Sequence, residues 1–215
     1  MIITISREIG AGGGEVSRQV AAALDWRVVD NEIVDAIAAR SGLSPTEVAA
    51  REERAPGFAE RLIRMLTAAA PEIQAAPDEV PELEEARLVQ ITASVVADIA
   101  REGRVVLVGR AASAVLSRDD DALHLKVVAP KEIRIAAVAA RFGLAPAQAR
   151  DQVSASDADR TRYHEQYYNR DWRDASHYHL VVNTAALGVE GAVDTIVGRA
   201  KARWPAVTRE RRAGP

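Results

Sequence analysis

The chain has 215 residues, a formal net charge of −3, 48% hydrophobic and 4% aromatic residues, and no cysteine. That length suits one α/β domain with room for a small insertion or mobile lid. The charge balance argues against nucleic acid as a partner, and the lack of cysteine excludes disulfides, thiolate catalysis and zinc–sulfur sites.

No apolar run approaches the length of a membrane span, and the N-terminus enters a strand without a basic region and apolar leader. The expectation is a soluble, cytoplasmic protein with no membrane partner. Ile2-Ile3-Thr4-Ile5 reads as a buried strand. A loop follows with four glycines in five positions (Gly10, Gly12, Gly13, Gly14), and then Val16, Val20, Ala21 and Leu24 recur at helical spacing. Strand, glycine loop and helix make a phosphate-binding opening, because glycines let successive N–H groups turn toward an anion at the positive end of a helix. The spelling departs from both common fingerprints. No lysine follows the glycines as in G-x-x-x-x-G-K-[ST], and a G-x-G-x-x-G reading would need glycine where Glu15 stands. By itself the loop is compatible with a phosphate cradle and with a plain turn.

Trp26 to Asp30 reads as a second short strand ending in a carboxylate. Asp30 is placed to cap the next helix, with Glu32 in its first turn. Ser44-Pro45 opens another helix, with Ser44 as N-cap. Residues 57–69 read as a helix, and Glu72 to Glu85, with six acids and no base, as an acidic connection. Leu83 to Glu102 is amphipathic and ends at Gly103. Arg104 to Arg110 and Leu123 to Val128 are near-continuous apolar strands of the kind buried on both faces of a parallel sheet. Pro130 starts a helix carrying Arg134 and Arg141, Leu180 to Asn183 is the last strand, and Val189 to Arg203 closes the chain as a helix. Alternating strands and helices predict a parallel doubly wound sheet, whose ligands sit outside the carboxyl ends of the strands. Arg7, Asp30 and Arg110 all fall at such ends.

Arg150 to Arg173 reads as helix–loop–helix and gathers five arginines (150, 160, 162, 170 and 173). Arginine binds phosphate oxygens through a planar, permanently charged fork. Asp157, Arg160 and Tyr163 are spaced three apart on one helix face, which also suits an exposed salt-bridged helix with packed tyrosines. The four histidines (124, 164, 177 and 179) show no second ligand set at metal spacing and read as structural, and the metal ligands stay open.

Together ISREIGAGGGEVSR, VVDNEI, VVLVGRAA, the APKEIRIAAVAAR helix, DADRTRYHEQYYNRDW and the YHLVVNT–LGVEGAVD ending resemble the cytidylate kinase-like family. This is a branch of the P-loop nucleoside monophosphate kinases, and the resemblance covers nearly the whole chain. It implies a three-layer α/β/α fold with a five-stranded parallel sheet. The core would be 1–30, 87–144 and 176–204, with a monophosphate-binding insert (31–86), a mobile lid (145–175) and a basic tail (205–215). The implied reaction transfers the γ-phosphoryl of ATP, as its magnesium complex, to CMP or dCMP. Gly10, Ala11, Gly12, Gly13, Gly14 and Glu15 would hold the donor phosphates, with Arg7 beside them. Asp30, Arg110 and Tyr163 would border the acceptor. Arg134, Arg160 and Arg162 would neutralise the transferred group, with Asp157 orienting Arg160.

Two departures from the family pattern stand out. The lysine and hydroxyl positions of the standard loop hold glycine and glycine or glutamate. The loop arginine of the kinase-like branch is also missing, and Arg7 is the candidate substitute for the lysine. After Gly109-Arg110, where the standard enzymes carry aspartate, this chain has Ala111. A nucleotide-binding regulator without catalysis and a kinase for another small metabolite are therefore the competing expectations, and a homodimer stays open.

Overall fold

A computed structural model describes residues 1–50 and 81–205. The expected helix at 57–69 and most of the acidic connection lie outside the described residues, as does most of the basic tail. Five strands form one sheet: β1 (Ile2–Arg7), β2 (Arg27–Val29), β3 (Val105–Val108), β4 (Ala122–Val128) and β5 (Leu180–Asn183). All pairings are parallel, in the order β2-β3-β1-β4-β5. Strand β1 therefore sits at the centre, where successive connections leave to opposite sides.

The helices are α1 (Gly13–Leu24), α2 (Asn31–Ser41), α3 (Pro45–Ala50), α4 (Pro81–Glu102), α5 (Ala112–Val115), α6 (Lys131–Phe142), α7 (Pro146–Tyr168) and α8 (Thr184–Arg203). Side chains alternate across each strand, so the sheet feeds two cores. Ile3, Ile5, Val106, Leu123, Leu125 and Val127 pack with Val16 and Val20 of α1 and Ile196 of α8. Ile2, Val105 and Leu107 pack on the opposite face with Ile33 and Ile37 of α2 and Val95 and Val96 of α4. Helices on both faces of a parallel sheet give the three-layer α/β/α architecture expected from the sequence.

Several boundaries differ from the sequence reading for definable reasons. Strand β1 runs on to Arg7, because Ser6 and Arg7 pair with Lys126 and Val127 of β4. Helix α7 is one continuous 23-residue helix rather than a helix–loop–helix. It contains no glycine, and its single proline, Pro146, is at the first turn, where proline does no harm. Helix α8 is interrupted at Gly188, whose φ of 68° is open to glycine at little cost. Its regular part resumes at Val189, where the periodicity begins. Ser44 caps α3 as expected: its Oγ accepts from Glu47 N at 3.3 Å while Glu47 Oε2 accepts from Ser44 N at 2.9 Å.

Candidate functional site

The carboxyl end of β1 delivers Arg7 under the glycine loop. A Cβ built on Gly13 would lie 2.6 Å from Arg7 Cβ and 3.2 Å from its Cγ, so the stem of Arg7 occupies the space any side chain at position 13 would need. Gly10 has a different reason to be glycine. Its φ is +81°, and a Cβ there would stand 2.5 Å from the Arg134 carbonyl oxygen at the start of α6. The loop is thus clamped between β1 and α6. Ala11 is buried beneath it, and its carbonyl accepts from Thr184 Oγ1 at 2.9 Å, which ties the loop to the start of α8.

Over the loop lies a cleft of about 450 Å³ lined by Arg7, Glu8, Ile9, Gly10, Gly12, Gly13, Gly14, Glu15, Arg18, Asp30, Ala137, Val138, Arg141, Phe142 and Arg160. Four arginines from β1, α1, α6 and α7 face three carboxylates. Arg7 Nη2 stands 3.6 Å from Asp30 Oδ1, so Asp30 answers the arginine across the sheet. Asp30 precedes α2 as expected, but its side chain makes no capping hydrogen bond, since it is turned toward Arg7. Arg160 Nη1 contacts Ser156 Oγ, and its guanidinium carbon lies 5.9 Å from the Trp172 ring centroid.

Other expected site residues are placed outside the lining. Arg134 is buried and forms a bidentate pair with Asp157 at 2.8 and 2.9 Å, while its Nε reaches Glu8 Oε2 at 3.2 Å and the Ala129 carbonyl at 3.1 Å. Asp157, expected to orient Arg160, faces α6 and takes Arg134, whose fork fits a carboxylate geometrically. Arg162 pairs with Asp159 on its own helix. Tyr163 is buried against Ala111 and Ala114, with Tyr167 stacked edge-on at 5.0 Å. The one helix face thus distributes its residues among three neighbours.

Arg110 is buried, and its Nη1 donates to the Val48 carbonyl of α3 at 3.3 Å. The turn that aims it is strained, with Gly109, Arg110 and Ala111 at φ of 68°, 54° and 50°. Successive left-handed residues with side chains are costly and cluster at functional sites. Within the described residues no group of three or more histidines, cysteines or carboxylates is arranged to hold a metal ion, and no helix is long and apolar enough to cross a membrane.

Three charged lining residues were given no site role from the sequence: Glu8, Arg18 and Arg141. Glu8 and Arg18 flank the loop within a turn of it, and that proximity was the available signal. Lys126 went unmarked as well. It is buried in β4 with its Nζ donating to the Trp172 carbonyl at 2.8 Å and lying 3.8 Å over the Trp172 ring, and burial lowers its amine to about 8. Trp172 Nε1 donates in turn to Ser6 Oγ at 2.8 Å. A lone lysine inside an apolar strand is the signal that points to it.

Residues 2–186 match the model of the family described as "Cytidylate kinase-like family". The chain belongs to that family. A cytidylate kinase of Halobacterium salinarum is 35% identical over 69 residues, 32% of this chain and 36% of that protein, so the match spans about a third of its length. A structure of an uncharacterized protein from Eubacterium ventriosum superposes with a TM-score of 0.66 at 20% identity, covering 94% of this chain and 98% of that one. Shikimate kinase from Bacteroides thetaiotaomicron superposes with a TM-score of 0.53 at 12% identity, covering 94% and 96%. At these identities the two structures establish the fold alone.

Proposed function

We propose that this family member is a nucleoside monophosphate kinase that transfers the γ-phosphoryl group of ATP to CMP or dCMP. The observation that carries the reading is the pairing of Arg7 with Gly13. The cleft lacks a loop lysine because an arginine from the preceding strand already fills the space beside the loop. A cradle of glycines with a permanent cation under it fits the polyphosphate chain of a nucleotide. Bound as its magnesium complex, ATP would supply the phosphoryl group, and the metal would come with the phosphates, as magnesium does at sites with few protein ligands.

Phosphoryl transfer needs positioning and positive charge more than a protein nucleophile. In this reading Gly10 to Gly14, with Ala11 beneath, hold the donor, Glu15 stands beside them at the first turn of α1, and Arg7 neutralises the phosphates. Arg160 faces the transferred group from α7, and closure of that helix would exclude water. Arg134 and Asp157 form the fixed hinge on which α7 stands, and Arg162 pairs with Asp159 along the same helix. Asp30 and Arg110 border the acceptor, with Tyr163 supporting the turn that carries Arg110.

Three carboxylates in the cleft (Glu8, Glu15, Asp30) favour a second reading, a nucleotide-binding regulator without turnover. A coupled ADP-release assay against CMP, dCMP, UMP, AMP, GMP and shikimate separates the two. Acceptor-dependent ADP greatest with CMP or dCMP is expected. Tight nucleotide binding with no turnover would favour the regulator, and turnover on shikimate alone would move the acceptor to another metabolite.

A further inference from the structure

Arg18 stands one helical turn beyond Gly14 on α1, and its guanidinium folds back over the loop. A Cβ at Gly14 would meet Arg18 Nη1 at 3.8 Å, so the cation lies above the position where the loop has no side chain. Its Nη2 contacts Glu15 Oε2, and Gln19 Nε2 donates to Glu15 Oε1 at 2.7 Å. These two partners, Gln19 first, hold the Glu15 carboxyl below the usual carboxylate range. Glu15 is ionised at neutral pH and lines the cleft where a polyphosphate would enter, as do Gly12 and Arg7.

An ionised carboxylate in a phosphate cradle repels the ligand unless its charge is answered. An exposed guanidinium–carboxylate pair is weakly held, whereas a fork on a phosphate makes stronger, charge-assisted bonds. We propose that Arg18 is a donor-phosphate ligand that leaves Glu15 for the polyphosphate of a nucleoside triphosphate, with Glu15 parking it over Gly14 until then. This role rests on the kinase reading above and adds a residue to the same cleft. It brings a cation over Gly14, where the loop has no side chain, from the next turn of the helix.

Calorimetry on the full chain tests it with magnesium-ATP, metal-free tripolyphosphate and CMP as probes. Arg18→Ala is expected to weaken both triphosphate ligands roughly ten- to hundredfold, the loss of a hydrogen-bonded charge, and to leave CMP affinity unchanged. Glu15→Gln acts in the opposite direction, tightening tripolyphosphate several-fold at low salt, because it removes the competing anion. Affinities unchanged in both variants would reduce the pair to a surface contact and overturn the proposal. Equal weakening of CMP and ATP in Arg18→Ala would overturn it too, since the effect would not be specific to the donor. Wild-type protein that binds neither triphosphate would refute the kinase reading itself, and this role would fall with it.

Discussion

Gly13 has no room for a side chain because Arg7 stands where one would go, and this contact decides how the loop is charged. Gly13→Ala sets a methyl carbon 2.6 Å from Arg7 Cβ, at the end of a paired strand that cannot move freely. The expected cost is about 1–3 kcal/mol in denaturant unfolding, the usual range for overpacking. Gly10→Ala meets a backbone carbonyl at 2.5 Å in a left-handed conformation, so it should cost more than Gly13→Ala. Equal costs would mean that the loop is not clamped against α6. Arg7→Met should lower turnover by roughly 10²–10³, the usual loss on removing one charge-stabilising group, with Arg7→Lys retaining part of it, as measured by the coupled assay. The missing lysine was legible in the glycine run, and Arg7 was the only substitute in view. Its steric relation to Gly13 was not legible, because it depends on β1 running two residues past its apolar stretch.

At the scale of elements, α6 and α7 share the buried Arg134–Asp157 pair beside the apolar contact of Ile135 and Val138 with Ala149 and Val153. Asp157→Asn leaves the Arg134 guanidinium buried with half its partner charge gone, and breaking such a pair costs about 3–5 kcal/mol. A thermal or urea midpoint within error of wild type would show that the clamp is dispensable. Continuity of α7 was hidden in the sequence by its polar, weakly patterned middle, where no hydrophobic stripe marks a single helix. A second element-level device lies at the other end of the sheet. His124 of β4 shares a hydrogen bond of 2.8 Å between its Nδ1 and Thr4 Oγ1, and its backbone N–H donates to His179 Nδ1 at 2.8 Å. Burial first, and the neighbouring His179 second, lower His124 to about 4. A depressed histidine value means the unfolded chain binds the proton first. Stability should therefore be fully present above about pH 6.5 and fall as pH drops toward 4, by on the order of 3 kcal/mol from this group. Urea unfolding followed from pH 7 to 4 in wild type and His124→Gln checks the sign. The variant should have the flatter profile, and identical slopes would remove His124 as the cause.

Across the whole molecule, the order β2-β3-β1-β4-β5 brings distant parts of the chain to one crevice: Arg7 and the loop from the start, Asp30 after β2, and Arg160 from α7. Open parallel sheets bind ligands where the strand order reverses, outside the carboxyl ends, and the cleft lies there. Most of this architecture was legible, because apolar runs of four to seven residues between amphipathic helices leave little choice but a covered parallel sheet. The division of labour among the arginines was not. Arg134, Arg160 and Arg162 look alike in sequence, and only packing separates the buried clamp from the residue facing the cleft and the one paired along its own helix. The central claim is that a nucleotide's phosphates rest on the glycine loop with Arg7 beneath them. A crystal structure with ADP and CMP tests it most directly. The account predicts the terminal phosphate of ADP within hydrogen-bonding distance of the Gly12 to Gly14 amides and of the Arg7 guanidinium. A nucleotide bound elsewhere, with Arg7 still turned to Asp30 and the loop unoccupied, would contradict it.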